Sequence, residues 1–127
     1  MGDRIRVLVV DEDEDVLELT ETFLERESDA IDVETETNPT EAIERVESAD
    51  FDCVVSDYRM PEMDGMDLFE AVRDEDPSLP FVLFSAAVDE STATEAEDAG
   101  VTAFVEKGIG TDHYSEIAAT IENQVCN

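Results

Sequence analysis

Ile5-Arg6-Val7-Leu8-Val9-Val10-Asp11-Glu12-Asp13 is the stretch on which the fold turns. From Ile5 to Val10 nearly every side chain is β-branched or aliphatic, the composition of a strand buried on both faces within a parallel sheet. The run ends abruptly in acids, and beyond them Val16, Leu19, Thr20, Phe23 and Leu24 return at steps of three and four. That spacing lays one apolar stripe along a helix, predicted over residues 14–27.

Strand, acidic turn and amphipathic helix make one unit, and the unit recurs. A strand is expected near 31–36, a helix near 40–48 with Pro39 in its first turn, and a strand at 52–56 that Val54 and Val55 mark as central. Residues 66–72 read as a helix, 81–84 as a strand, and 92–99 as a short helix stopped by Gly100 and lacking a strong apolar stripe. Residues 103–105 form a brief strand, and Tyr114, Ile117, Ala118, Ile121 and Val125 mark one face of a closing helix. Five successive strand–helix units in 127 residues predict a single α/β domain over 1–127, with helices on both faces of a parallel sheet. There are no repeats, linkers or low-complexity segments.

Composition narrows the class further. Asp and Glu number 36 against 7 Lys and Arg, a formal charge of −29 at pH 7, while 42% of residues are hydrophobic. The acids are interleaved with periodic apolar residues, so a core can still assemble and disorder is not implied. Self-repulsion of this size destabilises a compact state in dilute buffer. At molar salt the screening length falls to roughly 3 Å, which points to a halophilic protein of a salt-rich, haloarchaeal cytoplasm. No cluster of Lys or Arg offers a face to nucleic acid or anionic membrane, and no segment is long enough for a signal peptide or membrane span, so a cytoplasmic location is expected. Cys53 and Cys126 lack CxxC spacing, which suggests neither a disulfide framework nor a zinc site, and Cys53 reads as a small buried hydrophobe.

Ligands of open parallel sheets bind beyond the carboxyl ends of the strands. Strand one ends in Asp11 and Glu12, strand three in Asp57, strand four in Ser85, and Lys107 follows strand five. Asp at a strand end is also an ordinary helix cap, and acids abound here by composition. An acid pair, a further acid, a hydroxyl and the sole lysine at successive strand ends are harder to dismiss. Three gathered carboxylates call for a cation, and an all-oxygen set that keeps several waters suits Mg²⁺. Lys107 then holds an anion.

At these residues the chain resembles the response-regulator receiver family of two-component signalling, along essentially its whole length. Val9-Val10-Asp11-Glu12 is similar to that family's first-strand acid pair. Asp57-Tyr58-Arg59-Met60-Pro61-Glu62-Met63-Asp64-Gly65 is similar to its phosphoacceptor loop, D-x-x-M-P-x-M-D-G, a highly specific pattern; Ser85-Ala86 and Lys107 complete the set. The resemblance implies a flavodoxin-like (βα)5 fold with strand order 2-1-3-4-5. It implies Asp57 as phosphoacceptor and direct Mg²⁺ contacts from Glu12 and Asp57. Asp11 would reach the metal through water and Arg59 through its backbone carbonyl, while Ser85 and Lys107 would touch the phosphoryl oxygens. The donor would be a phosphohistidine on a histidine kinase or phosphotransfer protein, and the recipient of the signal a protein target or output domain. Ser85 and Phe104 would be the switch pair. Glu12 stands where Asp is commoner, Phe104 where Tyr is frequent, and Gly108 where Pro is usual; the Lys107-Gly108 pair resembles receivers at the front of haloarchaeal sensor proteins. The chain is accordingly a stand-alone receiver or part of a longer regulator.

Two other classes remain in view. Asp11-Glu12-Asp13 formally satisfies the D-x-D motif of haloacid-dehalogenase-like phosphohydrolases, although that leaves the Asp57 loop unexplained. An interaction module that keeps the fold without the switch is the other. His113 reads as a surface or capping residue, and Met60, Met63 and Met66 as packing.

Overall fold

The computed structural model describes residues 4–60, 63–85, 90–106 and 112–125. Strands β1 (Ile5–Val10), β2 (Ile31–Glu36), β3 (Cys53–Ser56), β4 (Phe81–Ser85) and β5 (Ala103–Glu106) alternate with helices α1 (Glu14–Glu27), α2 (Pro39–Ser48), α3 (Gly65–Glu75), α4 (Glu90–Ala99) and α5 (Asp112–Val125). All strand pairs are parallel and the order is β2-β1-β3-β4-β5, the flavodoxin-like arrangement expected.

Strand alternation explains the two cores. On one face Ile5, Val7 and Val9 pack with Leu17 and Leu24 of α1 and with Ile117 and Ile121 of α5. On the other, Leu8, Val10 and Val54 meet Leu68, Phe69 and Val72 of α3 and Ala96 of α4. Burial on both faces is why β1, β3 and β4 read as unbroken apolar runs.

The helices start where short polar side chains cap them. The Asp13 carboxylate accepts from the Asp15 N–H at 2.9 Å, and Asn38 accepts from Thr40 and Glu41 ahead of Pro39. Asp64 and Asp67 form a reciprocal capping box at α3. Gly100, at φ 104°, closes α4 in the left-handed region that a Cβ disfavours.

One detail of α1 corrects the expectation. Leu19 faces outward, 51% exposed, while Leu17, Thr20 and Leu24 are buried. Of the expected stripe at 16, 19, 20, 23 and 24, Thr20 and Leu24 are buried and Phe23 packs on the same core, so Leu19 alone gives way, to Leu17. Leu17 and Leu19 flank the two edges of one apolar arc, and the contact with α5, where Phe23 stacks on Tyr114 at 5.0 Å, turns the Leu17 edge inward.

The outer strand β2 is secured by charge. Arg6 and Arg45 both reach the Glu34 carboxylate, and both guanidinium groups lie over the Phe51 ring. The hydrogen bond from Arg6, reinforced by Arg45, holds the Glu34 carboxyl below the usual carboxylate range. At the sheet's centre Cys53 is fully buried, and burial pushes its thiol up to about 12.

Candidate functional site at the carboxyl edge of the sheet

The register fixes which residues meet at the sheet's carboxyl edge. Val10 pairs with Ser56, so Asp11 and Asp57 leave neighbouring strands side by side, strands being about 4.8 Å apart. The Asp57 N–H donates to the Val10 carbonyl at 3.0 Å and the Asp11 N–H to the Glu36 carbonyl at 3.2 Å. The backbones entering the site are therefore continuations of the sheet and as fixed as the strands.

The side chains divide by burial. Asp11 is 3% exposed and accepts from the Asp13 N–H at 2.9 Å, whereas Asp57 is half-buried and its Oδ1 accepts from the Tyr58 N–H at 2.8 Å. Ser85, the last residue of β4, is 2% exposed. Glu12 is exposed and lines an open acidic hollow with Asp13, Glu14, Asp15 and Thr37. Arg59 is exposed, and Phe104, paired with Leu83 across β4 and β5, is half-buried against the core on the α3 and α4 side. Lys107 and Gly108 lie outside the described residues, as does Cys126.

Asp11, Asp57 and Ser85 thus share the edge, and Glu12, next after Asp11, lines the acidic hollow. Among the described residues no three acidic, His or Cys side chains already surround one point. The donor chemistry nonetheless fits a hard divalent cation, since two carboxylates on adjacent strand ends and a loop carbonyl offer oxygen alone. Asp13, the second acid of the D-x-D alternative, caps α1.

His113, expected at the surface or in a cap, is half-buried with its ring 5.2 Å from Phe84 and 4.2 Å from Tyr114. Met60, Met63 and Met66 pack against the α3-side core as expected. Nothing in the sequence marked Ser56, a fully buried serine whose hydroxyl donates to the Asp57 carbonyl at 2.9 Å.

The comparisons agree with this architecture. The family model for the response regulator receiver domain matches residues 7–119. The chain is 31% identical over 117 residues to response regulator protein PilR of Pseudomonas aeruginosa, covering 92% of this chain and 26% of that protein. It is 31% identical over 101 residues to response regulator SaeR of Staphylococcus aureus, covering 80% of this chain and 43% of that protein. A receiver-domain structure from Clostridium thermocellum superposes with a TM-score of 0.85 at 21% identity, covering 96% of this chain and 94% of that one. The chain belongs to the response regulator receiver domain family, the phosphorylation-linked signalling switches of two-component systems. It spans about a quarter of the length of PilR and less than half that of SaeR. Among the described residues no helix is long and apolar enough to cross a membrane.

Proposed function

We propose that Asp57 is the phosphoacceptor of this receiver, taking a phosphoryl group from a phosphohistidine of a histidine kinase or phosphotransfer protein in the cytoplasm. The observation that carries this reading is the contrast at the sheet edge. Asp57 is half-buried at the end of a central buried strand, while its neighbour Asp11 on the adjacent strand end is only 3% exposed.

In the transfer a carboxylate oxygen of Asp57 attacks phosphorus in line, a P–O bond forms as the donor's P–N bond breaks, and the departing imidazole nitrogen keeps the electron pair. Asp11, Glu12, Asp57 and the Arg59 carbonyl are the groups that would hold Mg²⁺, which when bound neutralises charge on the transferring oxygens. Ser85 and Lys107 would contact the phosphoryl group, and the domain catalyses only its own phosphorylation and dephosphorylation. The signal passes to a protein target or output domain through the face that carries Phe104, with residues 1–127 acting as one receiver unit.

A small phosphodonor with Mg²⁺ adds one phosphoryl group to the wild type, seen by intact mass. Asp57→Asn, which keeps the shape and removes the nucleophile, abolishes the adduct with the fold intact, and chelating Mg²⁺ blocks it in the wild type. Undiminished labelling of folded Asp57→Asn would assign the acceptor elsewhere.

A further inference from the structure

The main chain on either side of Asp57 is held by a second set of contacts. The Asp57 carbonyl accepts the hydroxyl of Ser56 at 2.9 Å, and Ser56 is fully buried at the end of β3. A short distance away the Gly65 N–H donates to the Tyr58 carbonyl at 2.6 Å, tying the first residue of α3 back to the loop. Gly65 approaches so closely that a Cβ there would lie 2.7 Å from the Asp57 carbonyl oxygen and 2.7 Å from Leu83 Cδ2. Two of those three nearest neighbours, the Asp57 oxygen and Tyr58 Cα at 3.0 Å, are backbone and cannot rotate away. The Asp57 carbonyl therefore sits in a socket, with a hydroxyl bonded to it and a bare Cα pressed beside it.

We propose that Ser56 and Gly65 are positioning residues for the phosphoacceptor: together they fix the peptide plane after Asp57 and so the direction in which its carboxylate leaves the sheet. The proposal rests on the reading of Asp57 as acceptor. The Asp57 N–H is already fixed by Val10, which leaves rotation of the following peptide as the main freedom at this residue. The Tyr58 N–H that meets the Asp57 carboxylate belongs to that same peptide, so turning the plane moves a donor at the carboxylate as well. A buried serine in a strand of valines is otherwise costly, since its hydroxyl must find a partner, and the partner here is the acceptor's own carbonyl. In-line attack is sensitive to misplacement of this kind.

Ser56→Thr and Ser56→Val test it, being matched in shape and differing in the hydroxyl. Both are compared in molar KCl, after circular dichroism shows the native fold, by the labelling rate at saturating phosphodonor and Mg²⁺. The Thr variant should label close to the wild-type rate and the Val variant about tenfold more slowly, with the half-saturating donor concentration unchanged. Gly65→Ala should show the same slowing, and it carries the test alone if Val at 56 does not fold. Raising KCl until the melting temperatures match should leave the slow rate slow, because lost stability and lost orientation are different defects. Equal rates for folded Thr and Val variants, a wild-type rate for Gly65→Ala, or a loss confined to donor affinity would overturn the proposal. Asp57→Asn run alongside separates the cases, since an adduct on that variant defeats the acceptor reading itself.

Discussion

Helices α1 and α4 cover opposite faces of the sheet and are anchored very differently. Over 14 residues α1 buries Leu17, Thr20 and Leu24, is capped by Asp13, and reaches the Val33 N–H of β2 with Glu25. Over 10 residues α4 buries Ala96 alone, and its end is met by Arg73 of α3, which donates to the Gly100 carbonyl at 2.9 Å. Apolar burial contributes about 25 cal/mol per Å², so a leucine anchor outweighs an alanine several-fold. The well-anchored helix follows the acid turn of Asp11 and Glu12, and the lightly anchored one lies on the Phe104 side. A receiver needs both qualities: a carboxylate edge that stays in place, and a face with little to lose by moving.

The largest expected effect pushes this contrast to its limit. With −29 formal charge, the melting temperature should climb steeply from dilute buffer to molar KCl as repulsion is screened. At low salt, amide hydrogen exchange should release α4 while α1 is still protected. A melting temperature flat across that range, or α1 exchanging first, breaks the contrast.

Truncating the anchors comes next. Leu24→Ala should cost about 3 kcal/mol in urea melts at molar KCl, within the usual range for a fully buried leucine. Ala96→Gly should cost about 1 kcal/mol, mostly helix propensity. Equal losses would mean that α4 is held by more than its one buried methyl.

The smallest effect tests α2 and the outer strand. Because Arg6 holds the Glu34 carboxyl low, its contribution is present above the ordinary carboxylate range and is lost as pH falls through the lowered value. Glu34→Gln should therefore start slightly less stable at neutral pH and lose less on acidification. Stability curves that stay parallel down the acid limb would show the pair to be inert.

Much of this was legible in the chain because each device is local. Buried strands announce themselves as aliphatic runs, Gly100 as a stop, and the place of Asp57 at the sheet edge through the buried strand before it. Leu17 and Leu19 were not separable, since each flanks the same arc of Val16, Thr20, Phe23 and Leu24 and only the docking of α5 selects one. His113 carries no local sign of its packing, which arises when α5 lays its ring beside Phe84 from β4. Ser56 stayed silent for the same reason, a serine in a strand having no meaning until its partner is known. Glu12 lines an acidic hollow with Thr37, a residue 25 positions on that only the fold brings near it.

The thiol of Cys53 has a consequence for chemistry under oxidative stress. Only a thiolate reacts readily with peroxides or disulfides, and a thiol pushed up to about 12 is almost wholly protonated at neutral pH. It is also sealed in the core between the sheet and helices α1 and α5, out of reach of an oxidant while the sheet is closed. Oxidative damage at this position is thereby confined to molecules that have already opened, and the rate at which an alkylating reagent consumes Cys53 reports how often the centre of the sheet comes apart.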